Sequence, residues 1–221
     1  MERKNKKTYH NDKKVSNNVI RRMPRYHSYL LELKDKGIER ISSKELSKIT
    51  GFTASQIRQD FNNFGGFGKQ GAGYEVDFLF SEICDILGLN QTYKAVIFGA
   101  GNLGQAICNY AFFKEYGLQI EAIFDVNPSL VGNTIHSIDV LDVSKAKEFI
   151  KKNDISIAIV CVPKDAVPKI TNIIENSKIK GVWNFAPADI NINKDIKVEN
   201  VRLSDSLFVL SYMMNNDNYN Y

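Results

Sequence analysis

VIFGAGNLGQAICNY, Val96 to Tyr110, is the stretch that decides the fold. The apolar run ending at Phe98 reads as a buried strand, the glycines at 99, 101 and 104 follow it, and LGQAICNYAFFKEYG then reads as a helix. Gly-x-Gly-x-x-Gly alone is a weak signal. Set between a strand and a helix, it is the opening of a βαβ unit that holds a pyrophosphate on the helix N-terminus. Gly99 turns the chain, Gly101 lets the backbone approach the phosphates, and Gly104 lets helix and strand pack closely. Ala100, Asn102 and Leu103 complete the candidate loop. The next strand, QIEAIFD, ends at Asp125, twenty-one residues after Gly104. That is close to the ~20-residue offset at which an acid accepts the adenosine ribose hydroxyls. The same carboxylate repels a 2′-phosphate, and no arginine follows it in DVNPSL, which favours NAD(H) over NADP(H). The plain alternative is an Asp125 that only caps the turn before Pro128.

The alternation continues to the C-terminus. VSKAKEFIKKN and DAVPKITNIIENS read as helices, ISIAIVCVP and GVWNFAP as buried strands, VENVRL as a last short strand, and SDSLFVLSYMM as a terminal apolar helix. This predicts an α/β fold, a Rossmann-type doubly wound parallel sheet with its ligand crevice at the carboxyl ends of the strands. Val162 and Pro163 after one strand, and Phe185 and Ala186 after the next, fall where the nicotinamide end would lie.

The residues before this sheet differ in charge and pattern. Residues 1–74 carry sixteen Lys and Arg against seven Asp and Glu, a net of +9, whereas residues 75–221 carry thirteen against eighteen, a net of −5. A basic front half on a mildly acidic chain points to a polyanion as partner of the front half alone. Residues 1–15 read as a solvated basic tail. SNNVIRRMPRYHSYLLELKDKG then reads as a helix capped at Ser16 or Asn17, with Tyr26, Tyr29, Leu30 and Leu33 near helical spacing and Gly37 past its end. Pro24 fits the first turn of the main helix or a kink between a short helix and a long one. IERI reads as a small strand. Ser42 with Glu45, and Thr53 with Gln56, form capping-box patterns around the turn TGF, so helices Ser43–Ile49 and Ala54–Phe64 have helix–turn–helix spacing. Ile57, Phe61 and Phe64 face inward. Ser55, Gln56, Arg58, Gln59 and Asn62 face out, side chains of the kind that read base edges in a major groove. GGFGKQGAGY reads as a hairpin wing with Lys69 near its tip, placed to meet phosphate. A winged-helix unit binding double-stranded DNA fits these features together. A small helical unit that binds protein is the bland alternative.

An oxidoreductase would need an acid or base beside the nicotinamide. His136, in NTIHSIDV, is the only histidine of the second half, and Cys161 lies in the apolar AIVCVP, where thiols are usually inert. No catalytic residue, metal site or substrate domain is therefore expected, and the nucleotide is bound without being turned over. The three cysteines, Cys84, Cys108 and Cys161, lack metal-finger spacing, and no apolar run approaches membrane-span length, so a soluble protein of the reducing cytoplasm is expected. The corresponding divisions are a tail at 1–15, a winged-helix domain at 16–90, a nucleotide domain at 91–204, and a C-terminal helix and tail at 205–221.

From about Asn17 to Leu210 the chain resembles the Rex family of redox-sensing transcriptional repressors. The matching stretches are VIRRMPRY, ISSKELSKITGFTASQIRQDFNNFGGFGKQGAGY, GLN, GAGNLG, FDVNP, VP and NFAP. The resemblance implies a homodimer that holds a palindromic operator when NAD+ dominates and leaves it when NADH binds, with the C-terminal helix exchanged between subunits. It implies a recognition-helix role for Arg58, a DNA contact near the interdomain hinge for Arg22, and for Tyr110 a cofactor contact with a part in the nucleotide-linked rearrangement. Gln59 stands where some members have lysine. Arg202 stands where some have an acid, and Asp205, a turn later, is the candidate substitute. Two other classes stay open at this point: an oxidoreductase with an accessory winged helix, and a DNA-binding sensor of another nucleotide such as coenzyme A.

Overall fold

The computed structural model describes residues 15–68, 72–110, 112–192 and 195–216. The basic tail before Val15 and the wing residue Lys69 lie outside the described residues. The chain divides into two compact units between Asn90 and Gln91.

In the first unit, α1 spans Asn17–Asp35, with the Ser16 hydroxyl accepting from the Val19 N–H. Pro24 sits inside this helix, neither in its first turn nor at a break between two helices. Val19, Met23, Tyr26 and Leu30 recur at helical spacing and are buried. Strand β1, Arg40–Ile41, leads to α2, Ser43–Thr50, whose start carries the full reciprocal capping box of Ser42 and Glu45. Gly51 ends α2. The Thr53 hydroxyl then accepts from the Gln56 N–H and opens α3, Ala54–Asn62. Strand β2 is Tyr74–Glu75, and α4, Val76–Leu87, closes the unit. Ile57 and Phe61 of α3 share a core with Leu46 of α2, Leu79 and Ile83 of α4 and the apolar stripe of α1. Strand β2 pairs antiparallel with β1, Ile41 opposite Tyr74, and among the described residues of the glycine segment Gly65–Gly68 is not strand; the tip expected for the hairpin lies outside the described residues.

The second unit is a sheet covered on both faces. Its elements are β3 Tyr93–Phe98, α5 Asn102–Asn109, α6 Phe112–Glu115, β4 Leu118–Asp125, β5 Thr134–Ile135, β6 Ile138–Asp142, α7 Ala146–Lys152, β7 Ile157–Val160, α8 Val167–Glu175, β8 Gly181–Asn184, β9 Lys197–Asn200 and α9 Leu203–Met214. The strand order is β5-β6-β4-β3-β7-β8-β9, with every pairing parallel except the β5–β6 hairpin, whose turn holds His136 and Ser137 at positive φ. Without β5, this is the 3-2-1-4-5-6 order of dinucleotide-binding sheets, and its direction reverses between β3 and β7. Alternation along β3 serves both faces. Val96 and Phe98 join Ile150 of α7 and Ile170 and Ile174 of α8, while Ala95 and Ile97 join Ile107 of α5.

Two expectations change here. The helix after the glycine loop is not continuous: it ends at Asn109, and Tyr110 leaves helical backbone with ψ 89°. Strand β7 stops at Val160, where its neighbour β3 also ends at Phe98, although the Cys161 N–H still donates to the Phe98 carbonyl. The apolar helix α9 has no buried residue, and Leu203, Leu207, Phe208, Val209 and Leu210 are all more than half exposed. No helix among the described residues is long and apolar enough to cross a membrane.

Candidate functional site

The carboxyl ends of β3, β4, β6, β7 and β8 surround one cleft of about 530 Å³. It lies at the point where the strand order reverses, the crevice where such sheets take their ligands. Gly99 leaves β3 with φ +102°, and a Cβ there would stand 2.6 Å from the Cys161 carbonyl oxygen, so only glycine fits between β3 and β7. A Cβ on Gly104 would collide with the Gly99 carbonyl, which forces α5 against the strand it follows. Gly101 meets nothing within 4 Å, leaving open space over the first turn of α5. Free N–H groups of that turn point at whatever fills it.

Asp125 ends β4 beside this loop. Its Oδ2 accepts from the Ala100 N–H at 2.6 Å, and its Oδ1 from the N–H groups of Val126 and Asn127 at 2.8 Å each. It therefore both caps its own turn and ties β4 to the glycine loop. A carboxylate offers about four acceptor sites, so about one is left, on Oδ2.

Of the residues singled out in the sequence, Gly99, Gly101, Leu103, Asp125, Val162, Pro163 and Phe185 line the cleft. Ala100 and Gly104 are buried behind it, Asn102 is exposed on the first turn of α5, and Ala186 is buried, its N–H donating to the Asn184 Oδ1 at 3.0 Å. Tyr110 is not among the lining residues. Its ring lies 4.8 Å from that of Phe113. Sequence reasoning missed the wall formed by Val126, Leu130, Val143 and Ile170, and it missed Lys169 at the rim. It also missed Asn184, whose buried amide donates to the Ala188 carbonyl and to Asn200 and so shapes the NFAPA loop. Cys161 is part of the cleft wall, and burial pushes its thiol up to about 12, so it stays protonated and unreactive near neutral pH. Among the described residues no group of His, Cys, Asp and Glu is arranged to hold a metal.

In the first unit, Ser55, Arg58, Gln59 and Asn62 are exposed along α3 and Gln56 is half-buried, with Ile57, Phe61 and Phe64 turned inward. The Arg58 Nη1 donates to the Ser43 hydroxyl at 2.9 Å, and both side chains border an open recess with Asn62 and Gly66. Arg22 does not belong to this face. Its Nε and Nη2 donate to Asp60 at 2.7 and 2.6 Å, and its side chain is only 18% exposed. The buried Tyr26 hydroxyl donates to the same carboxylate at 2.7 Å. Burial, with the Asp60 hydrogen bond second, holds the Tyr26 hydroxyl protonated far above its usual range. Asp60 carried a sequence signal: it stands three residues after Ile57, on the same stripe as Phe61 and Phe64. At the other end of the chain, Arg202 pairs with Asp189 at 2.6 Å, while the Asp205 N–H donates to the Arg202 carbonyl as α9 begins.

Two family models match the chain: "Putative DNA-binding protein N-terminus" over residues 14–62, and "CoA binding domain" over residues 90–188. The redox-sensing transcriptional repressor Rex of Clostridioides difficile is 56% identical, the match covering 92% of this chain and 97% of the relative. The protein of the same name from Clostridium perfringens is 53% identical, covering 93% and 97%. Among solved structures, a Rex-family repressor called RSP in complex with β-NAD+ and operator DNA superposes with a TM-score of 0.88 at 51% identity, covering 92% of this chain and 94% of that one. RSP in complex with β-NADH gives 0.86 at 49% identity, covering 92% and 95%.

Proposed function

Because this chain belongs to the Rex family of redox-sensing transcriptional repressors, we propose that it binds a palindromic DNA operator as a homodimer and is released from it by NADH. It is a regulator and not an enzyme. What carries this reading is one chain holding both a helix–turn–helix with a polar outer face and a dinucleotide cleft at the reversal point of its sheet.

NAD+ and NADH share their adenosine and pyrophosphate ends. The glycine loop, Gly99 to Gly104, and Asp125 therefore hold both forms alike and cannot shift an equilibrium between DNA-bound and free states. Val126, Leu130, Val143 and Ile170 give the adenine an apolar slot. Discrimination falls to the nicotinamide end, where Cys161, Val162, Pro163 and Phe185 present a largely apolar wall that favours a neutral ring over a desolvated cation. Coenzyme A carries a phosphate on its adenosine ribose, which Asp125 opposes, so the name of the matching family model does not change this assignment.

On the DNA side, Arg58, Gln59, Ser55, Gln56 and Asn62 read the major groove and Lys69 contacts phosphate. Arg22 is reassigned from contacting DNA to seating α3 on α1 through Asp60. The exposed apolar α9 is covered by a second copy of the chain, exchanged between subunits, and the cytoplasm is the compartment where DNA and the NAD(H) pool meet.

Two substitutions test the two halves separately. Arg58→Ala is expected to weaken the preferred duplex by about 1–3 kcal/mol while leaving non-specific duplexes nearly unchanged, as loss of a bidentate guanine contact would. Fluorescence anisotropy on both duplex types measures this, and equal losses on both would remove Arg58 from base reading. Asp125→Ala is expected to lower NADH affinity and narrow the gap between NADH and NADPH. Calorimetric titration of both nucleotides reads it, and an unmodified chain that binds them equally would overturn the ribose assignment.

A further inference from the structure

The adenosine end of the cleft carries a charge balance that Asp125 alone would not give. Helix α8 starts at Val167, and Lys169 in its first turn lines the cleft beside Ile170 of the apolar wall. A cation in the first turn has the wrong sign for the helix dipole, so the stability of α8 does not account for it. Asp125 and Asp142 are register neighbours at the carboxyl ends of β4 and β6. Asp142 accepts from the Ser144 hydroxyl at 2.5 Å and from the Ser144 N–H at 2.8 Å. These two hydrogen bonds chiefly hold its carboxyl below the usual range, and the charges of Lys169 and Lys145 add to them. The Lys169 ammonium is therefore within electrostatic reach of these strand ends. Asp125, for its part, already shares its charge among three backbone N–H groups. Two carboxylates and two ammonium groups leave this rim close to neutral, where Asp125 alone would make it an acidic barrier.

We propose that Lys169 is a specificity-determining residue of the adenosine end, its ammonium attracting a phosphate carried on the adenosine ribose. The inference rests on the proposed dinucleotide reading of the cleft. The group recognised is a ribose phosphate, at the 2′ position as in NADPH or the 3′ position as in coenzyme A. Asp125 opposes that phosphate and sets the preference for NAD(H); Lys169 draws it in and limits how steep the preference is. NADH carries only hydroxyls at this edge, so Lys169 leaves its affinity nearly untouched. The lysine is exposed at the end of a flexible stem, so its pull on a phosphate is screened by salt.

The test uses the full chain and two nucleotide pairs that differ by the ribose phosphate: NADH with NADPH, and dephospho-coenzyme A with coenzyme A. Each is titrated at low and at high salt. Lys169→Gln is expected to leave NADH and dephospho-coenzyme A within about threefold and to weaken a phosphorylated member by about five- to tenfold, the scale of one charge facing a phosphate a few ångströms away in water. A loss confined to NADPH places the recognised phosphate at the 2′ position, and one confined to coenzyme A places it at the 3′ position; either supports the assignment. Lys169→Arg keeps the charge and is expected to keep the affinity, and the loss in Lys169→Gln shrinks at high salt, neither of which a packing role for the lysine stem would produce. In Asp125→Ala the gain in NADPH affinity depends on Lys169, so adding Lys169→Gln removes most of it. Equal weakening of both members of each pair by Lys169→Gln, or no change in any of the four, would overturn the role of Lys169 and leave the dinucleotide reading standing. An unmodified chain that binds no NADH would overturn that reading, and the inference with it.

Discussion

Asp60→Ala is expected to destabilise the first unit by about 3–5 kcal/mol, the scale seen when one partner of a buried ion pair is removed. Asp60 is 1% exposed and accepts from three donors: Nε and Nη2 of Arg22 and the hydroxyl of Tyr26, which is itself fully buried. Alanine would leave a mostly buried guanidinium without its counter-charge and a phenol without its acceptor, each a desolvation cost with nothing to offset it. The cation–π contact of Arg22 with Phe52, at 5.8 Å, links the same arginine to the turn before α3. The damage therefore falls on the seat of α3, the helix proposed to read the major groove. Affinity for specific and non-specific duplexes should drop together, unlike the selective loss expected for Arg58→Ala. Urea unfolding of the variant measures the stability change. A double variant, Arg22→Met with Asp60→Leu, should recover much of it, since replacing both partners removes the stranded charge. A loss below about 1 kcal/mol in Asp60→Ala would show that the triad does not hold α1 and α3 together.

What could be read in the letters, and what could not, follows from how local each feature is. The glycine loop, the acid at Asp125 and the capping box at Ser42 depend on spacings within one or two elements, and the structure has each in place. The apolar character of α9 was equally plain, because Leu207, Phe208, Val209 and Leu210 leave no polar side to face water. The partner of Tyr74–Glu75 was not legible. A two-residue strand beside a run of glycines specifies its register weakly, and Arg40–Ile41 was some thirty residues away. The break at Tyr110 left no mark either, since neither proline nor glycine stands there. The apolar wall of Val126, Leu130, Val143 and Ile170 is assembled from the ends of β4 and β6, the loop after β4 and helix α8, and no single stretch shows it. Asp60 lay between these extremes. One acid on an otherwise apolar stripe announces a buried partner, but only the packing of α1 on α3 identifies it as Arg22.

The second large effect is also the central one. Saturating NADH is expected to weaken binding of the selected palindromic duplex by about 5- to 150-fold, the range of a 1–3 kcal/mol coupling between sites, whereas NAD+ at equal occupancy leaves it intact or strengthens it. The asymmetry follows from the cleft. On the proposed assignment, the glycine loop and Asp125 hold what the two nucleotides share, and the wall of Cys161, Val162, Pro163 and Phe185 is what meets the ring in which they differ. By reciprocity, the duplex must lower NADH affinity by the same factor. The most direct measurement is duplex affinity by anisotropy across matched titrations of NADH and NAD+, with occupancy of each nucleotide followed in the same samples. Release by NADH at occupancies where NAD+ leaves the complex standing is the predicted result, and equal duplex affinity with either nucleotide fully bound would contradict it.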